Sequence, residues 1–217
     1  MSSAFRYIVV EGPIGVGKTT LAGRLAQSFS GELLLEGDEE NPFLDRFYRD
    51  PRGAALPTQL FFLFQRARQL KGLRQGDMFR PLTVADFLMG KDRLFAELNL
   101  DEDELDLYRQ VYEQLTPAVP TPDLVIYLQA PVEVLQARVK RRGRPSERHM
   151  NEDYLQRLCD AYTRFFHHYH DSPLLIVNAT EIDFATNDAD YAQLLEQVRG
   201  MRSGRHYFNP LPIALNS

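Results

Sequence analysis

The chain has 217 residues, of which 44% are hydrophobic and 25% are charged, and its formal net charge at pH 7 is −5. This length and composition suit a single domain spanning 1–217 with a substantial core, and the negative charge argues against binding to a nucleic-acid backbone. The lone cysteine, Cys159, excludes an internal disulfide and a metal site built from several thiolates, so a reducing cytoplasm is the expected location.

Neither a membrane span nor a secretory signal is expected from the sequence. The apolar run FRYIVV at 5–10 is followed by charge within a few residues, and it is far shorter than the roughly 20 residues that cross a bilayer. The preceding residues lack the basic segment and the long apolar stretch of a signal peptide. We therefore expect no membrane partner.

Apolar periodicity predicts strands that alternate with helices along the chain. Short aliphatic runs indicate strands, and apolar residues at helical spacing indicate helices. In chain order, the predicted elements are a strand at 5–10, a helix at 18–29, a strand at 32–35, a helix at 58–74, a strand at 81–87, a helix at 105–115, a strand at 123–131, helices at 132–142 and 152–170, a strand at 173–179 and a helix at 190–198.

This alternation predicts a three-layer α/β/α domain with a five-stranded parallel sheet. Parallel strands joined by helices form right-handed crossovers, which place helices on both faces of the sheet. The run DLVIYLQAP at 123–131 shows little alternation, as expected of a central strand covered on both faces. The tail at about 203–217 has no periodicity and is expected to lie on the surface.

A phosphate-binding loop is predicted between the first strand and the first helix. The sequence GPIGVGKTT matches the pattern G-x-x-x-x-G-K-[ST], whose glycines let backbone N–H groups turn towards phosphate oxygens. Lys18 would reach the β- and γ-phosphates, and Thr19 would bind Mg²⁺. The motif predicts a P-loop NTPase fold that binds ATP. The residues expected to contact it are Gly12, Gly15, Gly17, Lys18, Thr19 and Thr20.

A basic segment, ARVKRRGRPSER at 137–148, ends the helix that follows the fourth predicted strand. Phosphoryl transfer spreads negative charge over the transferred group, and arginines that close over it stabilise that charge and exclude water. A solvated helix end and a nucleic-acid patch are the alternatives, but the position in the chain favours an arginine-rich lid at about 139–149. Arg142 and Arg144 are its predicted phosphate contacts. The size of the chain favours a small-molecule kinase over a GTPase or a motor ATPase.

From the phosphate-binding loop to about Phe184, the chain resembles the deoxyribonucleoside kinases, in the branch that includes bacterial deoxyadenosine and deoxyguanosine kinases and mammalian deoxycytidine and deoxyguanosine kinases. The resemblance is carried by GPIGVGKTT, by LLLEGDEENPF and by RRGRPSE at matching spacing. It implies ATP- and Mg²⁺-dependent phosphorylation of the 5′-hydroxyl of a deoxyribonucleoside, with a deoxypurine favoured. Because relatives are usually dimers, it also implies a homodimer.

The same resemblance assigns a general base. In the family, a glutamate directly after the second strand accepts the proton of the 5′-hydroxyl, and Glu36 occupies that position, with Gly37 where relatives carry proline. The following acids, Asp38, Glu39 and Glu40, are expected to face solvent and to repel an acceptor that already carries a phosphate.

Further substrate contacts follow from the resemblance alone. Tyr48 and Glu147 would hold the sugar 3′-hydroxyl, and Gln59 would bind the base. Arg66 would lie at the base edge, where it would pair with Asp92. Towards ATP, the resemblance implies contacts from Arg138, Asp183 and Phe184, the last two within EIDF at 181–184.

One motif departs from the family pattern. Relatives carry an acid-Arg-Ser/Thr triplet after the third strand, whereas VADFLMGKD offers Asp86 for the acid near Mg²⁺ but has Phe87 and Leu88 at the next two positions. Phenylalanine cannot stabilise phosphoryl charge. Either a nearby cation such as Lys91 or a lid arginine compensates, or the alignment is shifted, or the kinase is weak.

Two other functions remain open at this point. A nucleoside monophosphate kinase shares the sheet, the phosphate-binding loop and the lid, but it needs a cationic site for the acceptor phosphate. A nucleotide-binding regulatory module without turnover would be consistent with Phe87. The histidines of HHYH at 167–170 lie at a helix end and are expected to be surface or packing residues rather than metal ligands.

Overall fold

Parallel strands form the centre of the computed structural model, which describes residues 5–36, 41–71, 73, 81–116, 119–144, 147 and 150–210. These residues contain a six-stranded sheet with the order β2-β3-β1-β4-β5-β6. Its strands are β1 (Tyr7–Glu11), β2 (Glu32–Leu34), β3 (Thr83–Ala85), β4 (Leu124–Gln129), β5 (Leu174–Asn178) and β6 (Arg205–Phe208). All five strand pairs are parallel.

Helices cover both faces of the sheet, which gives the predicted three-layer α/β arrangement. They are α1 (Lys18–Ser28), α2 (Leu44–Arg49), α3 (Ala55–Lys71), α4 (Lys91–Asn99), α5 (Glu102–Leu115), α6 (Val132–Arg142), α7 (Glu152–His167) and α8 (Asp188–Gly200). No described helix is both long enough and apolar enough to cross a membrane.

Alternating side chains of the central strand divide the core into two halves. Ile8 and Val10 of β1 pack in an apolar cluster with residues of α1, α6 and α8. Tyr7 and Val9 point to the opposite face and pack with residues of α3, α4, α5 and α7. Successive side chains of a strand point to opposite faces of the sheet. These two clusters therefore bury β1 on both faces. This explains why the central strands read as continuous apolar runs.

Most predicted elements are confirmed within a few residues, and α6 has the predicted bounds. Helix α5 begins three residues before the predicted start, at an acidic capping box in which the Asp101 side chain accepts a hydrogen bond from the Glu104 N–H at 2.9 Å. The predicted helix end near 74 lies outside the described residues, because α3 is described to Lys71. Helix α4 was absent from the prediction, since its short apolar pattern follows directly on the loop after β3.

The predicted strand count of five is wrong. Residues Arg205–Phe208, within the segment expected to lack regular structure, add β6 as a parallel edge strand on β5. Four residues with largely exposed side chains carry no clear period-2 pattern, so only the pairing partner defines this strand. Residues 211–217 of the predicted tail lie outside the described residues.

Arg205 ties the edge strand to the end of α7. Its Nη2 donates to the carbonyl oxygens of Phe166, His167 and Tyr169 at 2.9, 3.0 and 3.1 Å. The last carbonyls of a helix have no partner within the helix, and a cation at this end also interacts favourably with the helix dipole. The arginine therefore acts as a C-terminal cap supplied by a different element.

Arg205→Ala should lower the free energy of unfolding by about 1–3 kcal/mol, because three carbonyl groups lose a charged donor. Urea denaturation at constant m-value measures the change. The matched control is Arg109→Ala, which removes a half-exposed pair with Asp106 and should change stability by less than about 0.5 kcal/mol. Equal effects of the two substitutions would contradict the capping role.

Candidate active site

The carboxyl ends of three neighbouring strands bring acidic side chains to one edge of the sheet. Glu11 ends β1, Glu36 follows β2, and Asp86 follows β3. The strand order changes direction at β1, which lies between β3 and β4. In open parallel sheets, ligands bind outside the carboxyl ends of the strands at such a point. The three acids thus mark the edge at which a ligand is expected.

The phosphate-binding loop connects β1 to α1 at this edge. Gly17 precedes the helix in the left-handed region with φ 105°, and no side chain caps the helix N-terminus. The first N–H groups of α1 are therefore open to an anion. A Cβ on Gly12 would lie 2.5 Å from the backbone oxygen of Leu128, so close packing against β4 requires glycine there. The loop has the geometry of a phosphate cradle.

Lys18 folds back over this loop. Its Nζ donates to the carbonyl oxygens of Gly12 at 2.7 Å and Pro13 at 3.2 Å. Burial, followed by the positive charge of Lys91, lowers the pKa of Lys18 to about 8. Burial destabilises the charged form of this lysine, so an anion such as phosphate that approaches it would stabilise that charged form.

Asp86 links the loop to the segment after β2. It accepts a hydrogen bond from the Thr19 hydroxyl at 2.6 Å through Oδ2, and from the Glu36 N–H at 2.7 Å through Oδ1. Its place beside Thr19 is the one that the predicted alignment requires. A hydroxyl and a carboxylate are the oxygen ligands that Mg²⁺ prefers, usually completed by phosphate and water. The described residues contain no cluster of three or more His, Cys, Asp or Glu that could hold a metal by itself.

Glu36 lies between two cations. Its Oε2 accepts a hydrogen bond from Lys91 Nζ at 2.8 Å, and its Oε1 pairs with the guanidinium of Arg66. The Glu36 side chain is 26% exposed, whereas both cations are 4% exposed. The carboxylate is therefore held by two buried cations and stays partly exposed. The neighbouring acids Asp38, Glu39 and Glu40 lie outside the described residues.

Arg66 also pairs with Asp92, as predicted from the family resemblance. Burial raises the pKa of Asp92 against the opposing charges of Arg66 and Lys91. Arg66 Nε, Asp92 Oδ2 and the hydroxyl of Tyr108 are buried with no hydrogen-bond partner among the described residues. Gln59, on the same helix as Arg66, is 3% exposed. This region keeps unused hydrogen-bonding capacity, which a polar ligand could satisfy.

Tyr48 lies near the lid residues Arg142 and Glu147. The pKa of Tyr48 is raised well above its usual value, first by burial and then by the neighbouring Tyr154 and Glu147, while Arg142 opposes the shift. Arg142 Nη2 donates to Glu147 Oε1 at 2.5 Å, and its charge also lowers the pKa of Lys18. Arg142 therefore lies close enough to act on both the phosphate loop and Tyr48. The rest of the predicted lid lies in part outside the described residues, at 145, 146, 148 and 149.

The other residues predicted to contact the nucleotide differ in their exposure and in their hydrogen bonds. Arg144 and Thr20 are exposed. Arg138 donates to the carbonyl oxygens of Val16 at 3.4 Å and Ala179 at 2.9 Å, so it clamps the phosphate loop to the end of β5.

The loop at 181–184 packs beneath the phosphate loop. Asp183 organises its own turn by accepting hydrogen bonds from the N–H groups of Ala185 and Thr186. Phe184 is 4% exposed, and a Cβ on Gly17 would come within 3.1 Å of its ring. The described side chains of this loop support the cradle, and their contact with a nucleotide stays a prediction.

Comparison with known proteins decides the family of this chain. Residues 8–202 match the model of the deoxynucleoside kinase family, which is most of the chain. The chain belongs to the deoxynucleoside kinase family. It is 33% identical over 202 residues to the deoxyguanosine kinase of Bacillus subtilis, with 89% of this chain and 96% of that protein covered. It is 29% identical over 205 residues to the deoxyadenosine kinase of Lactobacillus acidophilus, with 88% and 94% covered.

Solved structures show the same fold. The structure of deoxyadenosine kinase from M. mycoides with bound dATP matches with a TM-score of 0.77 at 25% identity, covering 89% of this chain and 98% of that one. As a deoxynucleoside kinase, the chain is an enzyme with a P-loop α/β fold, which confirms the family and the enzyme class predicted from its motifs.

Three residues near this site were not identified from the sequence, namely Glu11, Tyr108 and Tyr154. Glu11 is completely buried and accepts hydrogen bonds from the N–H groups of Gly12 and Leu88, each at 2.8 Å, and from the Tyr162 hydroxyl at 2.9 Å. A charged residue ending an apolar strand directly before a phosphate loop is a signal that could identify it. Tyr108 and Tyr154 carry no such signal, because each occupies an ordinary apolar position of a helix.

Glu11→Gln should lower the free energy of unfolding by about 3 kcal/mol, because an amide must turn its NH₂ group towards one of three converging donors. Tyr162→Phe removes only one of these donors and should cost about 1 kcal/mol. Urea denaturation of both variants gives the comparison. A Glu11→Gln variant as stable as Tyr162→Phe would show that the carboxylate charge is not needed there.

Proposed function

We propose that the chain transfers the γ-phosphate of ATP to the 5′-hydroxyl of a deoxyribonucleoside, with a deoxypurine preferred. The observation that carries the proposal is the position of Glu36, whose carboxylate lies between Arg66 and Lys91 and is linked through Asp86 to Thr19 of the phosphate loop. A base and a phosphate cradle on one sheet edge are the two parts that this transfer needs.

The chemistry assigns one role to each group. Glu36 accepts the proton of the 5′-hydroxyl while the oxygen forms its bond to the γ-phosphorus, and the bond from that phosphorus to the β-bridging oxygen breaks to release ADP. Lys18, Arg142 and Arg144 stabilise the negative charge on the transferred group. Thr19 and Asp86 would hold Mg²⁺, which neutralises phosphate charge when bound.

The charges around Glu36 support an acceptor that carries no phosphate. The buried cluster combines three carboxylates, Glu11, Glu36 and Asp92, with two cations, Arg66 and Lys91. The carboxylates outnumber the cations in this cluster, so its surroundings disfavour a monophosphate group. The arrangement favours a nucleoside over a nucleoside monophosphate.

The preference for a deoxypurine is supported by relatives and by the unused polar atoms near Arg66. Deoxyguanosine and deoxyadenosine kinases are among the curated relatives. Gln59, Arg66 and Asp92 would bind the base, and Tyr48 with Glu147 would bind the 3′-hydroxyl. Arg138, Asp183 and Phe184 would lie on the ATP side. We further propose a homodimer in the cytoplasm, which sedimentation and cell fractionation test.

A panel of acceptors tests the reaction. With radiolabelled ATP and Mg²⁺, we expect phosphate transfer to deoxyguanosine or deoxyadenosine, with weaker transfer to deoxycytidine and thymidine and none to dGMP or TMP. Transfer to monophosphates alone would identify a nucleoside monophosphate kinase. Tight ATP binding with no transfer to any acceptor would indicate a regulatory module.

Glu36→Gln should lower kcat by about 100-fold, because a general base is lost, while calorimetric binding of the deoxynucleoside is largely kept. The matched control is Glu32→Gln on the exposed edge strand β2, which should leave kcat unchanged. Turnover of Glu36→Gln near the wild-type rate would remove Glu36 from the role of base.

A further inference from the structure

Lys91 is a buried lysine at the first position of α4, directly beside the proposed base. We propose that Lys91 is a catalytic cation of this enzyme, which orients Glu36 and donates to the attacking 5′-oxygen as its bond to phosphorus forms. This inference rests on the proposed function, since it concerns the same transfer.

The contacts of Lys91 leave part of its donor capacity unused. Its Nζ lies 2.8 Å from Glu36 Oε2 and 3.9 Å from Glu11 Oε2, and its side chain is 4% exposed. An ammonium group has three N–H donors, whereas Glu36 supplies the only acceptor within hydrogen-bond distance of Nζ among the residues that the structure describes. A 5′-oxygen that hydrogen-bonds to Glu36 would lie within reach of the same ammonium group.

Lys91 also lies close to the phosphate loop. Its positive charge is among the causes that lower the pKa of Lys18, the lysine that folds back over this loop. Glu11 connects them structurally, because its carboxylate lies near Lys91 and accepts the N–H of Gly12. Lys91 thus lies near the carboxylate that holds the first glycine of the phosphate loop.

A cation at this point carries costs in stability. Lys91 is the first residue of α4 after the N-cap Gly90, where the positive end of the helix dipole disfavours a cation. Burial adds a desolvation cost and lowers the pKa of Lys91 to about 8. An apolar residue would avoid both costs, but it would remove the cation that pairs with Glu36 and lies near the buried Glu11, so an experiment has to separate a role in chemistry from a role in stability.

Phe87 supplies no such charge. Its side chain is completely buried in the apolar cluster that contains Leu88 and Leu94. At the family position where an arginine is expected, this chain therefore has a core residue. In the proposed transfer the 5′-hydroxyl proton moves to Glu36 and Lys91 keeps its protons, so the lysine acts through charge and hydrogen bonding alone.

The test compares Lys91→Met and Lys91→Arg with the control Lys71→Met, which removes an exposed lysine at the end of α3. At saturating deoxynucleoside and MgATP, Lys91→Met should lower kcat by about 100-fold, while the calorimetric Kd for ATP changes by less than about threefold. Lys91→Arg should keep at least about one tenth of kcat, because its charge is retained. The control should match wild type.

A pH profile separates charge from packing. Lys91 is charged below its pKa of about 8 and neutral above it, so wild-type kcat should fall as pH rises through this value. Saturating MgATP keeps Lys18 charged through the bound phosphates. Because arginine stays charged, Lys91→Arg should move this alkaline limb up by more than about one pH unit. Among the described residues, the charged groups that act on Lys91 are Lys18, Glu11, Glu36, Arg66, Asp86 and Asp92, and the Tyr162 hydroxyl donates to Glu11.

The outcomes are distinct. Wild-type protein that phosphorylates no deoxynucleoside overturns the proposed function and the role of Lys91 together. An active wild type with a folded, ATP-binding Lys91→Met variant of nearly unchanged kcat overturns the lysine role alone. If Lys91→Met does not fold, Lys91→Arg decides: a displaced alkaline limb supports the role, and an unmoved limb overturns it.

Discussion

The ion pairs around Glu36 join four elements of the fold. Glu36 follows β2, Arg66 belongs to α3, Lys91 begins α4, and Glu11 ends β1. Leaving one member of a buried charge pair without its partner costs about 3–5 kcal/mol. These four elements must therefore keep a fixed arrangement, and the arrangement that pairs the charges also places the carboxylate of Glu36 beside the phosphate loop.

The phosphate loop depends on close packing rather than on charge. Gly12 approaches the backbone of β4, and Gly17 approaches the ring of Phe184. Arg138 joins the loop to the end of β5. Protein interiors are packed as densely as organic crystals. Contacts with three neighbouring parts of the chain therefore restrict movement of the loop. Rigid donors are what electrostatic stabilisation of a transferred phosphate requires.

Prediction from sequence succeeded where a short local pattern is sufficient to define a structural element. GPIGVGKTT identified the phosphate loop, and the aliphatic runs identified the central strands, because buried parallel strands need apolar residues on both faces. It failed for β6, whose four residues become a strand only through pairing with β5. It also failed for α4, although that helix carries Asp92 and Lys91 into the site.

The sequence by itself determined the family and the phosphate loop, since both depend on residues close together in the chain, and the family resemblance led to the hypothesis that Glu36 is the base. Only the tertiary structure decided how the charges are paired. Glu36 and Lys91 are 55 residues apart and Glu11 and Tyr162 are 151 apart, and no local pattern specifies such contacts. They follow from the packing of α3, α4 and α7 on one face of the sheet, where buried charges are stable only next to their partners.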